Sequence, residues 1–187
     1  MKKSGFTLIE LIVSIGIITM VTGIFLANYS SANRRTDLTM TAQKMVTDIR
    51  TAQNYALGLA RYGGSGSTNV PSGGWGAHFS TAKNDQYVVF ADNNGNSFYD
   101  MGSEDNLAYG SMISTLPKNV TIDSILINGI SNSVADITFL PPDPTTFINN
   151  GLIKASSTSL NIVLKDLRTS TIKTVRINFL GLVEVID

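Results

Sequence analysis

Apolar side chains fill 15 of the 22 positions from Phe6 to Ala27, which makes this segment the most hydrophobic part of the chain. Its 22 residues include a single charged one, Glu10. As an α-helix the segment would be about 33 Å long, enough to cross a bilayer hydrocarbon core of about 30 Å. The pattern therefore predicts a transmembrane helix at residues 6–27.

The helical pattern continues beyond Ala27, but there it is amphipathic. Apolar residues recur at alternating spacings of four and three, which places them on one helix face; they are Leu38, Ala42, Met45, Ile49, Ala52, Ala56 and Leu59. Because no proline interrupts the first 70 residues, one helix is expected from about Phe6 to Ala60, with the polar Asn28–Asn33 stretch as its weakest point. We expect the half at residues 28–62 to pack on a globular domain. A coiled coil also fits this stripe, although three heptads are few for one.

Short runs with β-strand character follow the helix. A glycine-rich loop at residues 63–76 leads into them. The predicted strands are Trp75–Ser80, Gln86–Ala91, Val120–Ile127, Ala135–Leu140, Leu160–Leu167, Thr171–Phe179 and Leu182–Ile186. Because strands do not alternate with helices, the pattern predicts antiparallel pairing in two packed sheets. The predicted fold class is α+β, with a long N-terminal helix packed on an antiparallel β domain at residues 63–187.

Composition narrows the chemistry of the chain. It has 187 residues, a formal net charge of zero, no cysteine and one histidine, His78. A neutral chain lacks the positive field that attracts nucleic acid, so no nucleic-acid partner is expected. The absence of cysteine excludes disulfides, thiol catalysis and cysteine zinc sites, and one histidine excludes a multi-histidine metal site.

No arrangement of residues in the sequence indicates catalysis. His78 lies near the start of a predicted strand, and we interpret it as a packed or exposed residue rather than a catalyst. Trp75 is interpreted as a packing anchor. No G-x-S-x-G motif is present. We therefore predict that the protein is not an enzyme; a membrane-anchored hydrolase is the alternative with the least support.

Glu10 is the residue in the apolar segment that needs explanation. A carboxylate inside a bilayer costs a few kcal/mol and is usually functional or paired. No basic residue lies near it within the segment, so a partner from another chain would satisfy it best. A cleaved secretory signal peptide is an alternative interpretation, with Lys2 and Lys3 as its basic region, but the apolar run is too long for one and an acid is out of place there.

The run Gly5-Phe6-Thr7-Leu8-Ile9-Glu10 after a short basic leader resembles the class III signal of type IV pilins and type II secretion pseudopilins. This resemblance implies that residues 1–5 are a leader, that a prepilin peptidase cleaves after Gly5 and that Phe6 is N-methylated. It also implies that Glu10 pairs with the N-terminal amine of a neighbouring subunit during assembly. That amine is the kind of intermolecular partner that a buried acid requires.

After the N-terminal motif come a helix at residues 42–57, a glycine-rich loop, the run at 87–106, the strand run at 135–142 and a final hairpin that ends at 179–185. This layout resembles the H-type minor pseudopilins and related minor pilins. The resemblance implies a structural subunit of a secretion pseudopilus or type IV pilus that supports protein secretion. Its implied partners are other pilins, the prepilin peptidase, an inner-membrane assembly platform and membrane lipid. Lys2 and Lys3 before the helix nearly balance Arg34 and Arg35 after it. The resemblance, rather than charge, therefore places the β domain outside a single-pass inner-membrane anchor. The alternative is a surface minor pilin whose β domain binds a surface, DNA or another ligand.

The densest polar cluster follows the predicted strand Gln86–Ala91. Oxygen ligands for a hard cation such as Ca²⁺ are available there at Asp92, Asn94, Asn96, Asp100 and Glu104. The spacing begins like a calcium loop, but an EF-hand needs glycine where Ser97 stands and glutamate where Ser103 stands. Asn and Asp also stabilise turns. A structural loop and a calcium site are both open interpretations, and no cofactor is predicted to be required.

Overall fold

The computed structural model describes residues 5–63, 69–100, 112–142, 145–151 and 157–186, and of residues 27–35 it describes the backbone alone. Within these ranges the chain forms one long helix, α1 (Leu8–Leu57), and ten β-strands. It divides into two compact units, one up to Thr36 and one from Asp37 onward, and α1 contributes residues to both.

The strands of the second unit form two five-stranded sheets. In chain order they are β1 (Gly74–Ser80), β2 (Gln86–Asp92), β3 (Met112–Thr115), β4 (Val120–Ile127), β5 (Ile130–Asn132), β6 (Val134–Leu140), β7 (Thr145–Asn149), β8 (Ser159–Asp166), β9 (Ile172–Asn178) and β10 (Val183–Ile186). Sheet 1 has the order β3-β2-β1-β6-β7, and sheet 2 has the order β10-β9-β8-β4-β5. All neighbouring strands are antiparallel, as predicted.

The apolar stripe of α1 belongs to the core of the second unit. Its buried members are Leu38, Ala42, Met45, Ile49, Ala52 and Ala56, which form one hydrophobic cluster with residues of both sheets. Alternate residues of the strands complete the cluster, such as Ala77 and Phe79 in sheet 1 and Leu160 and Ile162 in sheet 2. The predicted α+β, pilin-like layout is therefore confirmed.

The last residue of the predicted stripe, Leu59, is not in the core, and the expectation for it was wrong. The helix ends at Leu57, and 51% of Leu59 is exposed. The amide of Leu59 donates to the carbonyl of Ala56, and the amide of Ala60 donates to that of Tyr55. This is a Schellman ending, which requires a left-handed backbone at Leu59, and its φ is +49°. The turn therefore rotates Leu59 out of the stripe.

Three strands were absent from the prediction. They are β3, β5 and β7, which have four, three and five residues and all lie at sheet edges. Runs this short carry almost no periodicity, and their strand character depends on pairing with a neighbour that is distant or across a tight turn.

Candidate functional site

The described chain begins at Gly5 and Phe6, both exposed, and α1 starts two residues later. Thr7 is the N-cap, since its Oγ1 accepts a hydrogen bond from the amide of Glu10 at 3.4 Å. The hydroxyl of Thr7 also lies 3.5 Å from Oε2 of Glu10 and donates to it. The sequence pattern T-x-x-E is a capping-box signature that predicts this pair, although our sequence analysis did not use it.

The first half of α1 keeps its apolar side chains exposed. Among the described residues, Leu8–Leu26 is the one helical stretch long and apolar enough to span a membrane, and none of it is buried. Two of its hydroxyl groups are satisfied within the helix: Ser14 donates to the Glu10 carbonyl at 2.7 Å and Thr19 donates to the Ile15 carbonyl at 2.8 Å. Glu10 is the single charged side chain of this stretch. No salt bridge among the described residues includes it.

The structure brings part of the predicted calcium set together. The side-chain amides of Asn94 and Asn96 both donate to Oδ2 of Asp100, the first at 2.9 Å. The side-chain oxygens of Asn94 and Asn96 accept the amides of Asn96 and Phe98 at 3.0 and 2.8 Å. These oxygens therefore stabilise the turn that they belong to. Glu104, the fifth predicted ligand, lies outside the described residues.

Unlike the other described residues of the predicted set, Asp92 has a buried side chain, which accepts hydrogen bonds from backbone amides of the loop. It is fully buried, and its two carboxylate oxygens accept the amides of Gly95 and Ser97, each at 2.7 Å. A side chain at Gly73 would collide with this carboxylate, so glycine is required there. Within the described part of the chain, no three acidic or histidine side chains are placed to hold a metal ion. The calcium site stays a prediction.

The segment after β2 covers the outer face of sheet 1. Buried Asn149 donates to the carbonyl of Ser97 at 2.9 Å, and the ring of Tyr99 lies 4.9 Å from that of His78. His78 Nδ1 forms a 2.7 Å hydrogen bond with Oδ1 of Asp136, its register partner on β6. Burial raises the pKa of Asp136, although the hydrogen bond and the charge of His78 oppose this effect. His78 is therefore a half-buried residue whose side chain links β1 to the neighbouring strand β6.

A second polar cluster, which sequence reasoning missed, joins α1 to sheet 1. Oδ2 of Asp48 accepts hydrogen bonds from Lys44 at 2.7 Å, from the Tyr87 hydroxyl at 2.6 Å and from the Ser114 hydroxyl at 3.0 Å. Lys44 also donates to Ser114. Burial acts to raise the pKa of Asp48, but these bonds and the Lys44 charge outweigh it, so the pKa lies below its ordinary value.

The contact between Lys44 and Ser114 resembles a serine–lysine dyad, which would favour the hydrolase alternative. A lysine that activates serine must be neutral to accept its proton. The amine of Lys44 instead lies 2.7 Å from Oδ2 of Asp48, in an ion pair that occupies it. The cluster therefore has the chemistry of a structural network between helix and sheet.

Comparison with protein families identifies the N-terminal segment. Residues 1–26 match the model described as the prokaryotic N-terminal methylation motif. The segment is a type IV pilin-like prepilin signal. No curated protein and no solved structure gives a match to the chain.

The prepilin signal covers the residues whose geometry is unusual for a globular protein. It includes the Thr7–Glu10 cap and the exposed apolar stretch Leu8–Leu26. A signal of this type implies, in general, processing by a prepilin peptidase and assembly with other pilins. Together with the apolar helix it fits a membrane-anchored, pilin-like structural subunit.

Proposed function

We propose that the protein is a minor pseudopilin or minor pilin, incorporated through α1 into a type II secretion pseudopilus or a type IV pilus that supports protein secretion. One observation carries this proposal. The prepilin signal coincides with a helical stretch that is apolar, fully exposed and marked by a single acid, Glu10. An exposed apolar surface of this length is stable only in lipid or against other apolar helices.

In this proposal the prepilin peptidase cleaves after Gly5, and Phe6 becomes the methylated N-terminus. Glu10 then pairs with the Phe6 amine of a neighbouring subunit. The only hydrogen bond that the described residues offer its carboxylate is the long one from Thr7, at 3.5 Å. An ammonium group would compensate the carboxylate far better in an apolar surrounding. Glu10 thus sets the register between adjacent helices.

The proposed topology is a single pass through the inner membrane. The N-terminus lies in the cytoplasm, where an assembly platform receives the subunit, and the β domain lies on the periplasmic or extracellular side. Removal of residues 1–5 takes away Lys2 and Lys3, which leaves more acidic than basic side chains on the processed subunit.

Mass spectrometry of the protein from its host membrane tests the processing step. We expect loss of residues 1–5 and a methyl group on Phe6. An intact N-terminus, or cleavage after Ala32 as for an ordinary signal peptide, would contradict the proposal.

Incorporation into filaments tests the role of Glu10. We expect Glu10→Ala to leave the β domain folded but to reduce the amount of the subunit in sheared filaments. Thr19→Ala is a matched control, since it removes a polar group of the same helix whose hydroxyl is satisfied by Ile15. Equal incorporation of both variants would remove the proposed role of Glu10.

A further inference from the structure

The turn between β9 and β10 presents three large apolar side chains to solvent. Phe179 is 54% exposed, Leu180 71% and Leu182 56%. We call these three residues the knob. Singly exposed apolar residues are common on protein surfaces, but three within four positions of one turn form a contiguous apolar surface.

The backbone under the knob is rigidly held. Oδ1 of Asn178 accepts the amides of Leu180 and Leu182 at 3.0 and 2.9 Å, and the amide of Gly181 donates to the Asn178 carbonyl at 2.9 Å. Gln53 of α1 donates to the Gly181 carbonyl at 2.5 Å. A surface that is already ordered loses little conformational entropy when a partner binds.

A groove of about 430 Å³ lies beside an earlier part of α1, next to the sheet edge formed by β3. Its walls include Met40, Thr41, Leu116 and Pro117, and Lys44 lines it as well. The hydroxyl of Thr41 donates to the Asp37 carbonyl, so its proton is already used within the helix and does not add a free donor to the groove. The volume and the largely apolar walls are those of a site for apolar side chains.

The knob cannot reach the groove of its own chain. Gln53, which holds the knob, follows Met40 by 13 residues of α1, about 20 Å along the helix. The knob belongs to an edge hairpin of sheet 2, whereas the groove borders the edge of sheet 1. An apolar projection and an apolar groove at separate places on one chain can meet in a head-to-tail contact between copies, which does not close on itself.

Charge supports the same pairing. Arg50 donates to the carbonyl of Val183, the residue after Leu182, so its cation lies beside the knob. Asp37 and Lys44 both line the groove, and Lys44 is already paired with Asp48. Among the described residues neither Arg50 nor Asp37 takes part in an ion pair. A contact between copies would therefore bring opposite charges to its rim.

The area of the knob indicates when the contact forms. Three side chains at these exposures present on the order of 300 Å², well below the roughly 800 Å² per partner of a standard interface. The contact is therefore too small to hold free subunits together. It fits subunits that α1 has already placed side by side.

We infer that the knob Phe179–Leu182 of one copy docks into the groove beside Met40 and Leu116 of a second copy within the helix-driven assembly. This inference rests on the proposed function and extends it, since it requires at least two adjacent copies in the filament. It assigns the β domain a contact of its own in addition to the helix.

Disulfide cross-linking in the full-length chain tests the inference, because the natural chain has no cysteine. The variant Met40→Cys/Leu180→Cys places one thiol at each surface. An intramolecular bond between them is excluded, because residue 180 is next to Gly181, which Gln53 contacts about 20 Å along α1 from Met40, whereas the Cα atoms of bridged residues lie within about 7 Å. After mild oxidation in host membranes, we expect covalent oligomers whose peptide map joins residue 40 of one chain to residue 180 of another.

Met40→Cys/Ile130→Cys is the matched control, since Ile130 is 70% exposed on a different hairpin. We expect it to give several-fold fewer cross-linked chains, and we expect Asp37→Lys in the first variant to lower its yield. Equal yields from the two pairs, a linkage between residues 180 of both chains, or monomers alone would overturn the inference.

The N-terminus read by mass spectrometry in the same samples separates the two proposals. Processed, methylated subunits that enter filaments without the 40–180 linkage would overturn the inference and leave the proposed function standing. Unprocessed chains would overturn the proposed function itself.

Discussion

The phenolic hydroxyl of Tyr87 donates a 2.6 Å hydrogen bond to Oδ2 of Asp48, which joins sheet 1 to α1 across 39 positions of sequence. Tyr87 is 2% exposed, so its hydroxyl has little access to water. Burial, together with this bond to a carboxylate, raises the pKa of Tyr87 above its ordinary value of 10.0. The pair is a polar anchor inside an apolar helix–sheet interface.

Tyr87→Phe should lower the free energy of unfolding by about 1.5–3 kcal/mol, the value of a hydrogen bond to a charged group. Urea unfolding of the full chain in detergent measures this. Tyr55→Phe is the control, since Tyr55 is 36% exposed and its hydroxyl contributes no described hydrogen bond; its effect should stay within about 0.5 kcal/mol. Equal effects of both variants would show that the hydroxyl of Tyr87 is not an anchor.

Alkaline pH should weaken the same anchor. Because the pKa of Tyr87 is raised in the folded state, its contribution to stability is complete below pH 10, the ordinary value, and is lost as the pH rises through the folded value. In thermal unfolding measurements, raising the pH above about 10 should therefore lower the Tm of the natural chain more than that of Tyr87→Phe. Parallel Tm curves for the two proteins would contradict this assignment.

The half-buried carboxylate of Asp48 and the buried carboxylate of Asp136 should respond to pH in opposite directions. The pKa of Asp48 lies below its ordinary value of 3.8, so its stabilisation is present above that value and is lost as the pH falls through the folded pKa. The pKa of Asp136 lies above 3.8 because of burial, so its contribution is largest below that value and is lost as the pH rises through the folded pKa.

Tm measurements of Asp48→Asn and Asp136→Asn near pH 6 and below about pH 4 test this difference. We expect the cost of Asp48→Asn to be larger near neutral pH, and the cost of Asp136→Asn to be larger at acid pH. Each variant is the control for the other, since both replace a carboxylate that contacts a basic side chain, Lys44 or His78. The same pH trend in both variants would contradict the assigned shifts.

Periodicity explains why much of this fold is predictable from sequence. The stripe from Leu38 to Ala56 follows the helical repeat, and strands such as Val120–Ile127 have enough residues to show alternation. The N-terminal motif is also local, because its informative residues lie within six positions. The contact between His78 and Asp136 is not local: the two residues are 58 positions apart, and only the pairing of β1 with β6 brings them together. A local sequence pattern cannot predict this contact, because the contact depends on which strands pair in the folded sheet.

Leu59 offers a stabilising substitution. It holds a φ of +49° in the Schellman ending of α1, a conformation that costs a residue with a Cβ about 1–2 kcal/mol. Because Leu59 is half exposed, Leu59→Gly should raise the free energy of unfolding by up to about 1 kcal/mol. Leu57→Gly is the control: Leu57 is equally exposed but helical, so glycine there should destabilise by about 0.5–1 kcal/mol. A lower Tm for both variants would show that Leu59 contributes more through its side chain than it costs through its backbone.

The loop after β2 should be stable without a metal ion. Both oxygens of Asp92, the side-chain oxygens of Asn94 and Asn96, and Oδ2 of Asp100 accept hydrogen bonds from the loop itself, so a cation would have to displace or share those donors. We therefore expect the Tm to be the same in EDTA and in added calcium, since a ligand stabilises only what it binds. Asp92→Asn should lower the Tm in both conditions, because one buried acceptor becomes a donor that faces backbone amides. Asp123→Asn is the control, since that acid is exposed and paired with Lys165. A Tm that rises with calcium in the natural chain but not in Asp92→Asn would establish the calcium site instead.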